Sequence, residues 1–196
     1  MITVLDYGMG NLRSVEKAIE FLGFSCRVSS DLDGCSKLII PGVGAFGAAM
    51  TRLDGLAADI RAFARHGNPL LGICLGQQLL FDLSEEHGET KGLGLISGRV
   101  SYLPVGMGLK VPHIGWSPLA YRSNSGLGKN GHDGEQVFFV HSLVTDCADP
   151  TDIVATATYG IEFAAAVQRA NVWGTQFHPE KSSTVGLRIL KNFLEC

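Results

Sequence analysis

Short apolar runs alternate with segments of helical spacing through the first half of the chain. The run Ile2–Leu5 is followed by Asn11 and by apolar residues that recur every three or four positions up to Gly23. This pattern predicts a strand, then a helix that Asn11 caps and Gly23 ends. The same spacing predicts strands at 25–28, at 37–40 with Pro41 ending it, and at 70–73, with helices at 46–53, 56–65 and from 75 onward. Because strands that alternate with helices form right-handed βαβ units, a parallel sheet is expected.

The pattern changes in the second half, where apolar runs follow one another with few helical segments between them. Several runs alternate apolar and polar residues, which is typical of antiparallel strands with one face in solvent. A stretch at 123–134, rich in Gly, Ser and Asn, predicts a mobile surface loop. The predicted strands are 98–103, 111–121, 136–140, 153–158, 163–168 and 172–177, before a helix at 184–194. We therefore expect an α/β fold in one domain, 1–196: a central, mostly parallel sheet flanked by helices, with an additional antiparallel strand region.

Composition excludes several classes of function. The chain is 45% hydrophobic, carries a formal charge of -3 and has no dense run of Lys or Arg, so neither nucleic acid nor a membrane surface is an expected partner. Five cysteines without a C-x-x-C pair indicate neither a disulfide framework nor a zinc site. The first residues lack the features of a signal peptide, and no apolar run could span a bilayer, so we expect a cytoplasmic protein.

The candidate chemistry centres on Cys74. Gly72-Ile73-Cys74-Leu75-Gly76 is a G-x-C-x-G pattern between a predicted buried strand and a predicted helix that presents Leu75, Leu79 and Leu83 on one face. This is a nucleophile elbow with sulfur in place of oxygen, and its tight turn requires neighbours without side chains. The helix amino end would favour the thiolate, and the Leu75 amide could bind an oxyanion. The alternative is an ordinary buried cysteine, since so short a pattern also arises by chance.

A cysteine nucleophile needs a base, and the base needs an acceptor that orients it. Of six histidines, His178 directly follows the predicted apolar strand that ends at Phe177, and Glu180 lies two residues further on. Because the carboxyl ends of neighbouring parallel strands meet at one edge of a sheet, His178 and Cys74 can come together there. The pattern favours a Cys-His-Glu triad over a loop without function.

A second glycine pattern, Gly42-Val43-Gly44-Ala45-Phe46-Gly47, matches G-x-G-x-x-G between a strand and a helix. A dinucleotide site of this type also needs an acidic residue at the end of the next strand, and that strand ends instead at Cys74. We therefore expect no dinucleotide site here. A glycine loop that leaves a strand beside Cys74 could instead supply backbone amides that complete an oxyanion hole.

Five blocks make the chain similar to class I, triad-type glutamine amidotransferases, and more narrowly to the glutaminase subunits of imidazole glycerol phosphate synthase, an enzyme of histidine biosynthesis. The cysteine block and the His-Pro-Glu block are typical of the superfamily, and the other features are typical of these subunits. The blocks are Asp6-Tyr7-Gly8-Met9-Gly10-Asn11-Leu12, Pro41-Gly42-Val43-Gly44-Ala45-Phe46, Gly72-Ile73-Cys74-Leu75-Gly76, Pro112-His113-Ile114-Gly115-Trp116 and Phe177-His178-Pro179-Glu180-Lys181-Ser182. The resemblance implies the flavodoxin-like fold of that family.

The resemblance also implies hydrolysis of glutamine to glutamate and ammonia by Cys74, His178 and Glu180. The oxyanion hole would combine the Leu75 amide with the loop Val43-Gly44, which in this family is thought to be misaligned until the partner binds its own ligand. Ammonia would pass to a (β/α)8-barrel cyclase subunit in a heterodimer, which makes imidazole glycerol phosphate and the aminoimidazole carboxamide ribonucleotide. No cofactor and no metal is implied.

The remaining site residues come from the same resemblance. The glutamine pocket would be lined by Gly42, Gly44, Gln78, His141 and Ser142. The cyclase interface would include Asn11, Trp116 and Lys181, although a buried tryptophan and a solvated lysine are the simpler interpretations of the last two.

The chain departs from the family's usual residues at four positions, none of them in the triad: Gln77 stands in place of Met, Phe138 and Leu143 in place of tyrosines, and Ser117 in place of Asn. Three alternatives remain open at this point. The chain could be the glutaminase of another synthase, a free-standing γ-glutamyl hydrolase, or a non-catalytic, flavodoxin-like thiol sensor that needs neither His178 nor Glu180.

Overall fold

The computed structural model describes residues 1–104, 106, 108–124 and 126–196. Its strands are β1 Ile2–Leu5, β2 Cys26–Ser29, β3 Lys37–Gly42, β4 Leu70–Cys74, β5 Leu83–Ser84, β6 Thr90–Lys91, β7 Gly98–Tyr102, β8 His113–Pro118, β9 Ala120–Tyr121, β10 Gln136–His141, β11 Leu143–Cys147, β12 Ile153–Tyr159, β13 Ile161–Arg169 and β14 Val172–Thr175. Its α-helices are α1 Leu12–Phe21, α2 Phe46–Leu53, α3 Ala57–Arg65, α4 Leu75–Leu79 and α5 Ser183–Leu194. Short 3-10 turns lie at Gly126–Gly128, Pro150–Asp152 and Pro179–Lys181.

The central sheet has eight strands in the order β2-β1-β3-β4-β14-β13-β12-β9. The pairs from β2 to β14 are parallel and those from β14 to β9 are antiparallel, which confirms the predicted parallel sheet with an antiparallel region, although β14 joins the parallel part from the second half of the chain. Cys74 pairs with Gly42 at the end of β3, and Ile73 pairs with Thr175 at the end of β14. Three chain segments therefore leave the sheet at one edge around Cys74.

The central strands are buried on both faces, which explains their unbroken apolar sequence. On β3 the alternate residues Leu38 and Ile40 belong to one core cluster and Ile39 to the other. Helices α1 and α5 pack into the second cluster through Val15 and Phe193, whereas α2, α3 and α4 supply the first. Because successive side chains of a strand point to opposite faces, the central strands supply apolar side chains to the helix layers on both faces of the sheet.

Two smaller sheets complete the fold: the antiparallel pair β10-β8 and the four strands β11-β7-β5-β6. The predicted alternation of buried and exposed residues is present in β8. It is wrong for the middle of β12 and β13, where consecutive residues are buried on both faces. The reason is that Ala164 and Ala165 face different core clusters, so this part of the antiparallel region is itself a central layer.

Several predicted boundaries were wrong. Strand β3 continues through Pro41 to Gly42, because its pairing with β1 ends at Ile39 and only β4 flanks it beyond that point. The helix after Cys74 ends at Leu79, and Leu83 lies in β5 instead of on a helical face. The carbonyls of Leu79, Leu80 and Phe81 accept hydrogen bonds from the amides of residues 93–96, which end the helix.

Other differences are local. Sequence patterns missed β5, β6 and β11, and the predicted strand 111–121 is divided into β8 and β9. Asn11 stands at the N-cap of α1, but its side chain makes no capping hydrogen bond; its ψ of 67° lies outside the extended backbone usual for a cap. The stretch 123–134 contains the buried Leu127, whose carbonyl accepts from Asn192, so the predicted surface loop is partly packed; Ser125 lies outside the described residues. Within the described ranges, every helix is too short or too polar to cross a membrane.

We expect Gly76→Ala to destabilise the fold strongly. A methyl group at Gly76 would lie 1.8 Å from the carbonyl oxygen of Ile40, a backbone atom that cannot move without distorting β3. Overpacking of this kind typically costs about 1–3 kcal/mol, and more where backbone must shift. Urea denaturation should show the loss. In the control, Gly55→Ala, the added methyl group meets no atom within 4 Å, so equal stability of the two variants would contradict the prediction.

Candidate active site

Cys74 has the backbone geometry of a nucleophile elbow. It joins β4 to α4 with φ 56° and ψ -111°, a conformation that a residue with a side chain rarely adopts. A methyl group at Gly72 would lie 2.3 Å from the carbonyl oxygen of Gly76. The prediction that the elbow needs neighbours without side chains is confirmed, because only glycines allow this strand and helix to approach so closely.

His178 and Glu180 form a buried ion pair beside the elbow. His178 Nδ1 lies 2.9 Å from Glu180 Oε1, and both side chains are at least 95% buried. The histidine backbone is fixed from two directions, since its amide donates to Phe138 O at 3.0 Å and its carbonyl accepts from Ser182 Oγ at 2.6 Å. The glutamate occupies Nδ1, which leaves Nε2 to bond Cys74.

This arrangement changes the pKa of His178. Burial by itself lowers the pKa, but hydrogen bonds to Cys74 and Glu180, together with the charges of the two partners, outweigh burial and raise it to about 9. The imidazole is therefore protonated at neutral pH. A protonated histidine beside a thiol favours an imidazolium–thiolate pair, which is the state in which a cysteine attacks.

A cavity of about 320 Å³ opens in front of Cys74 and His178. Of the residues predicted for the oxyanion hole, Val43, Gly44 and Leu75 all line it, and so do Gln78, His141 and Ser142 from the predicted glutamine pocket. Gly42 is buried behind the wall of this cavity, where a methyl group would lie 2.5 Å from the Tyr7 hydroxyl and 2.9 Å from Leu75 Cβ. Lys181 also lines the cavity and is exposed.

Glu86 is a cavity residue that sequence patterns did not indicate. It lies in a polar stretch without a recognisable motif, and the turn between β5 and β6 brings it to the site. Its Oε2 accepts a hydrogen bond of 2.5 Å from the amide of Phe46 at the start of α2. The carboxylate therefore stands next to the loop of Val43 and Gly44.

His141 is held in one neutral form. Its Nδ1 donates to Leu143 O at 2.8 Å, and its Nε2 lies 3.0 Å from Nδ1 of His113, whose Nε2 in turn lies 3.0 Å from Ser117 Oγ. Burial, the largest cause, lowers the pKa of His141 to about 4; the hydrogen bond with Leu143 opposes this shift, and the nearby His113 and His178 add to it. Since a carbonyl only accepts, the proton of neutral His141 sits on Nδ1.

The three residues predicted for a partner interface are at the surface. Asn11 and Lys181 are exposed, and Trp116 is 51% exposed on the outer face of β8, in edge contact with Phe138. The interpretation of Trp116 as an ordinary buried residue is therefore wrong.

The chain was compared with protein-family models and with known proteins. The model of the glutamine amidotransferase class-I family matches residues 3–196. The chain belongs to this family. It is 47% identical to the imidazole glycerol phosphate synthase subunit HisH of Moorella thermoacetica, covering 99% of the chain and 94% of that protein. It is 48% identical to HisH of Methanosarcina barkeri, with 99% and 98% covered.

Two solved structures share the fold. One, described as a glutamine amidotransferase, has a TM-score of 0.77 at 22% identity, with 99% of this chain and 97% of that chain covered. PurLQS from Thermotoga maritima gives 0.73 at 20% identity, with 99% and 97% covered. The predicted fold class is confirmed.

We expect the stability of this amidotransferase to fall as the pH rises from about 6.5 to about 9. Because folding raises the pKa of His178 from 6.5 to about 9, its proton stabilises the folded chain fully below pH 6.5, and this contribution is lost as the pH passes about 9. Urea denaturation across this interval measures the decrease. Glu180→Gln should make this decrease in stability smaller, whereas His132→Asn, at an exposed histidine, should leave it unchanged. Equal pH dependence in the unchanged chain and both variants would contradict the assignment of the decrease to His178.

Proposed function

We propose that this chain is the glutaminase subunit of an imidazole glycerol phosphate synthase, in which Cys74, His178 and Glu180 hydrolyse the side-chain amide of glutamine. One observation carries the proposal: a cysteine on a strained elbow shares a cavity with a buried His-Glu pair. Membership of the amidotransferase family and the relatives called HisH support the choice of substrate and of synthase.

The first step forms the tetrahedral intermediate that precedes the thioester. The Cys74 thiolate attacks the side-chain carbonyl carbon of glutamine, and the carbonyl oxygen becomes an oxyanion. The Leu75 amide lies directly after the nucleophile and supplies one hydrogen bond, and an amide of Val43 or Gly44 supplies the other. One such donor typically contributes about a hundredfold to a thousandfold in rate.

His178 then moves the protons. The imidazolium gives its Nε2 proton to the leaving nitrogen, so ammonia departs and the γ-glutamyl thioester remains. The neutral imidazole next takes a proton from water, which attacks the thioester and releases glutamate and Cys74. Glu180 holds the ring through Nδ1 during both transfers and stabilises the charge that forms on it.

The cavity also explains how glutamine could be oriented. Glu86 supplies a carboxylate for the α-ammonium group of the substrate. Gln78 already donates from Nε2 to Leu143 O at 3.4 Å and to Gln176 Oε1 at 3.0 Å, so only its oxygen is left to accept from the substrate. Ser142 lines the same wall and offers a hydroxyl group.

We propose a heterodimer in which Asn11, Trp116 and Lys181 contact a (β/α)8-barrel cyclase. Ile114 and Trp116 expose 62% and 51% of their surface on β8, an apolar patch suited to burial against another protein. Ammonia would pass to the cyclase, which forms imidazole glycerol phosphate and the aminoimidazole carboxamide ribonucleotide. Val43 lines the cavity and is 45% exposed, so a bound cyclase could contact the loop that completes the oxyanion hole.

Residues 1–196 are proposed to act as one domain, since the family model spans nearly all of them and the two core clusters share the strands of the central sheet. A cytoplasmic location is proposed as well, because all five cysteines are free, as in a reducing compartment.

The decisive measurement is glutamate release from glutamine by the chain alone and by the chain with the cyclase and its nucleotide ligand. We expect weak activity alone, a strong rise in the complex, and loss of activity in Cys74→Ala and His178→Ala. Strong activity that is the same with and without the cyclase would indicate a free γ-glutamyl hydrolase. Normal function of His178→Ala would favour a thiol sensor.

We expect Glu86→Gln to raise the KM for glutamine at least about tenfold while changing kcat less. The variant removes the negative charge opposite the α-ammonium group but keeps an oxygen for the Phe46 amide; a hydrogen bond to a charged group is typically worth about 1.5–3 kcal/mol. Steady-state kinetics of the complex measures both constants. Glu85→Gln, at the neighbouring exposed carboxylate, is the control, and an equal KM in the two variants would refute this role.

A further inference from the structure

Gln176 is a fully buried residue between the end of β14 and the His178 turn. Its backbone amide donates to Ala165 O on β13 at 2.8 Å, which fixes its position on the sheet. Its side-chain nitrogen Nε2 lies 3.8 Å from Sγ of Cys74. A buried amide nitrogen is therefore directed at the nucleophile, although the reaction described above uses only His178 and backbone amides.

A backbone carbonyl fixes the direction of this contact. Gln78 approaches Leu143 O at 3.4 Å and Gln176 at 3.0 Å with the same terminal atom. Because a carbonyl oxygen only accepts, that atom of Gln78 must be its nitrogen. The atom of Gln176 that it meets must then be the oxygen, and the NH2 group of Gln176 is the part that faces Cys74.

The network behind Gln176 is itself held in place. Leu143 O accepts a second hydrogen bond, from His141 Nδ1, and His113 holds the opposite ring nitrogen of His141. These groups are buried, so their hydrogen bonds do not exchange freely with water. A rotated Gln176 would set its NH2 group against the donor of Gln78, which makes the observed orientation the stable one.

We propose that Gln176 is a further catalytic residue, whose Nε2 donates a hydrogen bond to the Cys74 sulfur and so favours the thiolate over the thiol; the proposal deepens the glutaminase function proposed above. In the imidazolium–thiolate pair the proton that Sγ has given up resides on Nε2 of His178, and Gln176 gives up no proton. The thiol form has a different partner, since Sγ lies 3.6 Å from Val140 O, an acceptor. The thiol can therefore donate to Val140 O, and the thiolate can accept hydrogen bonds from Gln176 and His178.

Other titratable groups near the sulfur do not replace this donor. The Tyr7 hydroxyl makes no hydrogen bond to the sulfur or to another described residue, and burial, followed by the charge of Cys74, raises its pKa, so it adds no charge. His141 is also neutral, because burial lowers its pKa to about 4. Glu86 and Lys181 line the cavity with opposite charges. Among the described side chains, His178 and Gln176 are the ones whose N–H groups hydrogen-bond the sulfur and so favour its negative form.

The test compares Gln176→Met and Gln176→Glu with the unchanged full-length chain. Methionine removes the donor without adding charge, and glutamate keeps an oxygen for Gln78 while losing the NH2 group. Alkylation of Cys74 by iodoacetamide, followed over a pH series by mass spectrometry of its peptide, reports the thiolate without any need for glutamine. We expect both variants to react about tenfold more slowly at neutral pH, with the profile displaced to higher pH.

Gln77→Met is the matched control. Gln77 is a buried glutamine next to Gln78, and its Nε2 donates to Thr145 Oγ1 at 3.0 Å, away from the sulfur. The alkylation profile of Cys74 in Gln77→Met should equal that in the unchanged chain. Circular dichroism and thermal melting establish whether each variant is folded. If the buried glutamate prevents Gln176→Glu from folding, the result for Gln176→Met alone decides the test.

Kinetics in the complex with the cyclase separates this proposal from the glutaminase function. We expect kcat of Gln176→Met to fall by about the factor seen in alkylation, with KM nearly unchanged. Slower alkylation in a chain that shows no glutaminase activity would support the role of Gln176 and reject the function. Alkylation profiles of Gln176→Met and Gln77→Met that coincide with that of the unchanged chain would overturn the proposal.

Discussion

The close contact between β3 and the turn after β4 constrains the whole site. Gly76 lies directly over the carbonyl of Ile40, and Gly72 lies under the carbonyl of Gly76, with no room for a side chain at either position. These contacts hold Cys74 at a positive φ, where a non-glycine residue is strained. Such a conformation persists only because the buried strands on both sides fix the backbone. The position of the sulfur in the wall of the cavity therefore depends on packing in the centre of the sheet.

The parallel order of the central strands turns this local geometry into a site. Strands β3 and β14 flank β4, and all three end at the same edge. The segment after β3 carries Val43 and Gly44 to one side of Cys74, and the segment after β14 carries Gln176 and His178 to the other. The proposed nucleophile, its proposed base and the amide-bearing loop are thus brought together by strand order, although more than 130 positions separate Val43 from His178.

The two buried histidines of the site differ in charge because their partners differ. His178 faces a carboxylate and a thiol, so its pKa rises in spite of burial. His141, at the end of β10, faces a carbonyl and another histidine, so burial prevails and its pKa falls. The same β8 that carries His113 and Ser117 on its buried face exposes Ile114 and Trp116 on the other. The strand that carries the surface proposed for the cyclase is therefore hydrogen-bonded on its other face, through His113, to His141 in the wall of the cavity.

The sequence by itself determined the α/β class, the parallel and antiparallel halves and the elbow, because hydrophobic period and glycine spacing are local properties. It also indicated His178 and Glu180, which lie together along the chain directly after an apolar run. Glu86 and Gln176 carried no such signal, since only the β5–β6 turn brings Glu86 to the cavity and only the pairing of β14 with β4 brings Gln176 to the Cys74 sulfur. The end of α4 at Leu79 and the burial of β12 and β13 on both faces likewise depended on partners distant in sequence. Tertiary structure decided these features because hydrogen bonds and burial depend on what packs against a residue, which local spacing does not contain.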